Sequence, residues 1–99
     1  ANIAQIAQVP GIDCIFIGPA DLSADMGHLG DLNHPEVLEV IAQGMKDIKA
    51  AGLCAGTICF DPEDQQRFIA QGGCCLGVAA DVVTWQSALA QTVAQARQL

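Results

Sequence analysis

Basic residues are scarce in this sequence, which has four lysines and arginines against eleven aspartates and glutamates and a formal net charge of −7. Four basic residues are too few to form a patch that neutralises the phosphates of a nucleic acid, so nucleic acid is excluded as a partner. Long apolar runs are also missing, because Gly, Pro or Asp interrupts them well before the ~18 residues that span a bilayer. A membrane protein is therefore not expected.

Apolar residues fill 52% of the 99 positions and charged residues only 15%. A chain of this composition buries apolar surface, so we expect a folded chain of single-domain size. Five cysteines leave at least one unpaired, and no C-x-x-C pair indicates zinc or redox chemistry. We expect free thiols in the core of a protein from a reducing compartment, with the cytoplasm as its location.

Apolar runs alternate with helical patterns along the chain. Strands are predicted at residues 12–17, 53–59 and 74–79, where short apolar runs are bounded by turn residues. Helices are predicted from Pro35 to Gly52, from Pro62 to Gly72 and from Asp81 onward, after a helix tail at 1–8 and a loop at 20–33. The predicted core-facing residues of these helices are Val37, Leu38, Ile41, Met45, Ile48, Phe68, Ile69, Val82, Trp85, Leu89, Val93 and Ala96.

Strands that alternate with helices in this way indicate an α/β fold with a parallel sheet covered by helices. The pattern alone does not separate a barrel segment from a doubly wound sheet. Three parallel strands leave exposed edges, which a complete domain extends, closes or covers. We therefore expect a further N-terminal part to belong to the same domain.

Ligand sites in parallel α/β folds lie beyond the carboxyl ends of the strands, where this sequence places Asp21, Asp61 and Asp81. Asp61 and Asp81 stand at predicted helix starts, so capping is the favoured interpretation for both. Asp21 has no predicted helix of its own and follows a Gly-Pro turn. Its carboxylate would suit a hard cation such as Mg²⁺ or Mn²⁺, and bracing of the loop is an equal alternative.

The two histidines, His28 and His34, were weighed as metal ligands or general bases. Neither has a partner at the spacing of a metal site. His28 lies between glycines and His34 precedes a predicted helix, so loop and cap positions facing solvent are predicted for them.

Residues 11–23, which read GIDCIFIGPADLS, closely resemble the HpcH/HpaI aldolase family, whose members cleave and form 2-keto-3-deoxy or 4-hydroxy-2-oxo acids. Further blocks follow in the family's order, including MGHLG at 26–30, HPEV at 34–37 and AAG at 50–52. Members of this family are (β/α)₈ TIM barrels. The resemblance implies that residues 1–99 are the last three strand-helix units, a C-terminal fragment of one barrel domain.

The resemblance also implies a site. It places a metal ligand at Asp21, contacts to the pyruvate carboxylate at Gly18, Pro19 and Ala20, and a wall of the substrate pocket at Ile58. The second metal ligand and the acid-base residues of the family fall outside this chain, so no catalytic residue is assigned within it. We expect the chain alone to be inactive.

The implied reaction is that of a class II aldolase, in which Mg²⁺ or Mn²⁺ holds a 2-oxo acid such as pyruvate and stabilises its enolate. A lysine Schiff base is not required, and both lysines, Lys46 and Lys49, fall on a predicted helix.

Two alternatives stand beside the aldolase interpretation. A truncated or degenerate product without activity would act at most as an assembly piece, through exposed strand edges and apolar helix faces. A sugar-phosphate or nucleotide-binding domain is disfavoured, because no glycine-rich phosphate loop is present. Open edges also predict a homo-oligomer or a swapped assembly.

Overall fold

The computed structural model describes residues 2–99. Its elements in chain order are α1 (Ile3–Ile6), β1 (Cys14–Ile17), α2 (Pro19–Asp25), α3 (Pro35–Ala50), β2 (Cys54–Ile58), α4 (Pro62–Ala70), β3 (Gly73–Gly77) and α5 (Asp81–Ala96). The strands form one sheet in the order β1-β2-β3, and both neighbouring pairs are parallel. The predicted strand-helix alternation and the parallel sheet are therefore confirmed.

The core lies between one face of the sheet and α3. Residues with a repeat of three and four along α3 are fully buried, as its periodicity predicts: Val37, Ile41, Met45 and Ile48. Gly44 lets this helix approach β1 closely, because a Cβ at that position would lie 2.9 Å from Ile17 Cδ1. From β2, Ala55 and Thr57 are buried in the sheet, and the Thr57 hydroxyl donates to the Ile17 carbonyl at 3.0 Å.

The other face of the sheet is open. Phe16 in β1 is 49% exposed, and Cys75 in β3 is also exposed. Successive side chains of a strand point to opposite faces, so these residues alternate with the helix-facing ones. A Cβ at Gly56 would lie 2.7 Å from the Phe16 ring and 3.3 Å from Cys14 Sγ, which places these groups together on the open face.

Helix α2 was not predicted, since residues 20–33 had been interpreted as a loop. Gly18 has the extended conformation of an N-cap and Pro19 occupies the first helical turn, where its fixed φ fits. The buried Ser23 hydroxyl then donates to the Ala20 carbonyl at 2.8 Å. The Gly-Pro pair therefore begins a helix here, and does not only end a strand.

Two other helix predictions need correction. Phe68 of α4 is buried as predicted, but Ile69 is 59% exposed. Helix α5 has no buried residue, and Trp85 is 69% exposed.

The radius of gyration, 16.4 Å, exceeds the roughly 13 Å of a compact chain of this length. Among residues 2–99, no helix has the length and apolar character needed to cross a membrane.

The cysteines do not lie where the sequence analysis placed them. Cys54 and Cys74 form a disulfide between the starts of β2 and β3, with their Cα atoms 5.8 Å apart. Cys14 and Cys59 are free and half-buried, and Cys75 is free and exposed. The prediction of five free core thiols is therefore wrong, because parallel pairing brings two distant cysteines within bonding reach.

The disulfide predicts a thiol count. Alkylation of the unfolded chain without reductant should label three cysteines, and alkylation after reduction should label all five. Intact-mass spectrometry gives this count directly. Labelling of five cysteines before reduction would show that the bond does not form.

Asp61 and Asp81 offer a matched test of capping. Asp61 is the N-cap of α4, and its carboxylate accepts from the backbone N–H of Glu63 at 2.8 Å. The prediction that Asp81 also caps a helix is wrong, since Ala80 is the N-cap of α5; within residues 2–99 the Asp81 carboxylate accepts only from Val82 N, at 2.7 Å. Asp61→Ala should lower the free energy of unfolding by about 1 kcal/mol, and Asp81→Ala by clearly less. Urea denaturation measures both, and equal losses would contradict the assignment of the cap.

Candidate functional site

The carboxyl ends of β1 and β2 lie side by side, and the predicted site residues follow them. Gly18 comes directly after β1 and is the N-cap of α2, so Pro19, Ala20 and Asp21 form the first turn of that helix. Ile58 is the last residue of β2. The parallel register pairs Ile17 with Thr57, which brings the two strand ends to the same edge of the sheet.

The Asp21 carboxylate lies against the backbone of Gly18. A Cβ at Gly18 would stand 3.3 Å from Asp21 Oδ2, so glycine leaves room for the carboxylate at this turn. Asp21 is exposed, and none of the side-chain hydrogen bonds or ion pairs formed within residues 2–99 uses its oxygens. It does have a helix of its own, contrary to the prediction, and its negative charge is favourable in that first turn.

A cavity of about 480 Å³ lies next to this edge of the sheet. Three of the predicted substrate-binding residues, Pro19, Ala20 and Ile58, contribute to its wall. Gly18 and Asp21 are not among the lining residues, so they lie beside this cavity. The rest of the wall is Leu32, Asn33, Leu38, Ile41, Cys59, Phe60, Asp61, Asp64, Arg67 and Phe68.

Arg67 is a cavity residue that the sequence analysis did not consider. Its guanidinium pairs with the Asp64 carboxylate at 2.7 Å and lies 5.2 Å from the centre of the Phe68 ring. Helical spacing of three residues between Asp64 and Arg67 is the sequence signal that predicts such a pair. Burial raises the pKa of the adjacent Cys59 thiol, and Asp64 raises it further, so Cys59 stays protonated and is not a ready thiolate ligand.

The two histidines lie together, which the sequence analysis did not predict. Their rings stack with centroids 3.5 Å apart, and His28 Nε2 lies 3.0 Å from Glu36 Oε2. His34 caps α3 as predicted, since its Nδ1 accepts from Glu36 N at 3.3 Å. A hydrogen bond from His28 lowers the pKa of the Glu36 carboxyl, and the charges of both histidines lower it further.

Asp21 fits the metal-ligand assignment as one member of a set. An exposed carboxylate without a competing partner offers the oxygen ligand that Mg²⁺ and Mn²⁺ prefer. A hard-metal site usually combines one or two carboxylates with substrate oxygens and water. Asp21 and one further carboxylate would therefore be enough as protein ligands. Both lysines lie on α3 as predicted, and Lys49 lies beside Gly72 at the amino end of β3, at the opposite end of that strand from its carboxyl end.

Comparison with known proteins gives consistent results. The chain is 41% identical over 93 residues to 2-keto-3-deoxy-L-rhamnonate aldolase of Klebsiella pneumoniae, a match that covers 94% of this chain and 35% of the relative. It is 40% identical over 97 residues to hydroxypyruvate/pyruvate aldolase of Cupriavidus necator, covering 98% and 36% respectively. The crystal structure of an HpcH/HpaI aldolase from Desulfitobacterium hafniense superimposes with a TM-score of 0.90 at 28% identity, over 99% of this chain and 38% of that one.

These matches cover most of the chain and a smaller part of each relative. The chain spans about a third of the curated relatives that it matches. The HpcH/HpaI aldolase/citrate lyase family matches residues 1–88, which is most of the sequence. On this match, together with the fold, the chain belongs to the HpcH/HpaI aldolase/citrate lyase family.

Proposed function

We propose that this chain forms the last three strand-helix units of a (β/α)₈ barrel that cleaves 2-keto-3-deoxy or 4-hydroxy-2-oxo acids to pyruvate and an aldehyde. The observation that carries the proposal is the turn after β1, where the exposed Asp21 carboxylate lies against Gly18 beside an open cavity. Its relatives include proteins named 2-keto-3-deoxy-L-rhamnonate aldolase and hydroxypyruvate/pyruvate aldolase. The open face of the sheet also supports a barrel, because Phe16 and Cys75 would face a barrel interior.

In this proposal Asp21 would hold Mg²⁺ or Mn²⁺ through a carboxylate oxygen, with a second carboxylate from a part of the barrel outside this chain. When bound, the cation would supply Lewis-acid polarisation of the keto group of the 2-oxo acid. The role of Asp21 would be to hold the cation in place, so that the positive charge is already positioned where negative charge develops.

The other residues orient the substrate. The backbone N–H groups of Ala20 and Asp21 are in the first turn of α2, where an intrahelical acceptor is missing, so they are free to donate to the substrate carboxylate. Pro19 has no N–H and fixes the turn that presents them. Ile58 provides an apolar wall at the end of β2, which would help to exclude water from the substrate pocket.

The chain alone should not complete this site, because it supplies one carboxylate and no assigned acid-base residue.

A second candidate role follows from α5, whose apolar residues are unburied. A non-catalytic assembly piece would use that surface to find another chain. The two roles separate in a hybrid protein, since only the first predicts that the chain supports catalysis in a complete barrel.

The test is a hybrid barrel in which this chain replaces the matching third of the Klebsiella pneumoniae aldolase. The hybrid should release pyruvate from 2-keto-3-deoxy-L-rhamnonate, EDTA should abolish the release, and Mn²⁺ should restore it. Lactate dehydrogenase with NADH provides the readout, and the unaltered aldolase is the control. A hybrid that folds and binds Mn²⁺ but releases no pyruvate would favour the assembly role.

A further inference from the structure

The loop between α2 and α3 carries a group of side chains that the proposed aldolase reaction does not use. His28, His34 and Glu36 each offer one ligand atom, and these atoms all lie within 4.8 Å of one another. Two imidazoles and a carboxylate are a donor set typical of zinc and its neighbours in the first transition row, whereas Mg²⁺ prefers oxygen ligands alone. The chemistry of this group therefore differs from that of Asp21.

We propose that His28, His34 and Glu36 bind a transition-metal ion of the zinc class. The His28 Nε2 and Glu36 Oε2 atoms are 3.0 Å apart, close to the separation of two ligands on one ion with bonds of about 2.0–2.1 Å. The His34 ligand atom lies within 4.8 Å of both, so a small shift of its side chain would bring it to the same ion. Solvent supplies the remaining ligand, because the Glu36 side chain is 68% exposed.

The backbone holds the three side chains on one side of the loop. Gly27 and Gly30 both have φ of +81°, a conformation that glycine adopts readily, and they turn the chain back on either side of His28. The N–H of His28 donates to the Ser23 carbonyl at 2.7 Å, and the His28 carbonyl accepts from Asp31 N at 2.9 Å. The loop therefore positions His28 before any ion binds, which reduces the entropy cost of binding.

The start of α3 fixes the other two ligands. His34 is the N-cap and Glu36 lies in the first turn of the 16-residue helix. Glu36 therefore presents its carboxylate beside the two imidazoles, where the helix start holds it. An ion held here would join the loop to α3 and restrict the segment that follows Asp21 and α2.

The test is Zn²⁺ titration of the 99-residue chain by calorimetry, with Co²⁺ absorption as a second readout. His34→Asn removes the imidazole and keeps a good N-cap residue, and Glu36→Gln removes the charge and keeps the size. Each variant should bind Zn²⁺ at least ~10-fold more weakly, since loss of even an outer partner of a metal ligand costs that much. Asp31→Asn is the matched control, and it should bind like the unaltered chain.

Two results would overturn the proposal. Unchanged Zn²⁺ affinity in both ligand variants would place the ion elsewhere. Thiolate-to-cobalt charge transfer in the near ultraviolet would assign binding to the free cysteines, Cys14, Cys59 and Cys75. The helical circular dichroism of each variant should match that of the unaltered chain, which shows that weaker binding reflects a lost ligand. Aldolase activity plays no part in this test, so its outcome is separate from that of the proposed function.

Discussion

Asp21→Asn should lower kcat/KM of the hybrid barrel roughly 10²- to 10³-fold, because it would weaken the hold on the cation that stabilises the developing oxyanion, and loss of one such stabilising group costs this much. The substitution keeps the size and the first-turn position of the side chain and removes only its charge. A metal site with few protein ligands has little to replace that charge. The free energy of unfolding should change little, because the Asp21 side chain is exposed and has no partner within the described residues.

Asp25→Asn is the matched control for this prediction. Asp25 is the other acidic residue of α2, it is exposed, and it lies at the end of the helix away from the strand edge. Its substitution should leave kcat/KM within about twofold of the unaltered hybrid. Equal losses in the two variants would show that net charge near α2 matters and that Asp21 has no specific role.

The isolated chain should associate in solution. Helix α5 exposes Trp85, Leu89 and Val93, and the sheet leaves one face and two edges uncovered. Apolar surface of this kind favours pairing or swapping between copies. Sedimentation velocity should therefore show dimers or larger species whose fraction rises with protein concentration.

Trp85→Ala identifies the surface responsible. Truncating a buried tryptophan at an interface costs about 2 kcal/mol or more of binding free energy. The dissociation constant for association of two copies should therefore rise roughly 30-fold. Gln86→Ala changes the neighbouring exposed residue of the same helix and should leave the constant nearly unchanged. A chain that stays monomeric at high concentration, before any substitution, would contradict the prediction.

The sequence was sufficient for the parts of the fold that depend on local periodicity. Helix α3 was predicted because its apolar residues recur at helical steps, and four of them are fully buried. Helix α2 was missed because Gly18-Pro19 was interpreted only as a strand end, although Pro at the first helical position is also a start signal. The burial of α5 could not be judged, because its periodicity shows an apolar face and does not show what covers it.

Site prediction had the same limits. The position of Asp21 after β1 follows from the strand alone, but its contact with Gly18 depends on a helix that was not expected. His28 and Glu36 are eight residues apart and lie on different elements, so neither helix nor strand spacing relates them. The glycines on either side of His28 were the available signal, because they allow the loop to turn back toward α3. The disulfide likewise depended on the register of β2 and β3, which spacing does not reveal.

The most direct test of the account is equilibrium Mn²⁺ binding to the hybrid barrel, followed by the electron paramagnetic resonance signal of free Mn²⁺. With Asp21 in place, addition of the hybrid should remove the free-ion signal, and pyruvate should tighten binding by adding its own oxygens to the ion. Asp21→Asn should leave most of the signal in solution at the same concentrations, and Asp25→Asn should not. Undiminished Mn²⁺ binding by a folded Asp21→Asn hybrid would contradict the claim that this chain contributes a metal ligand to an aldolase barrel.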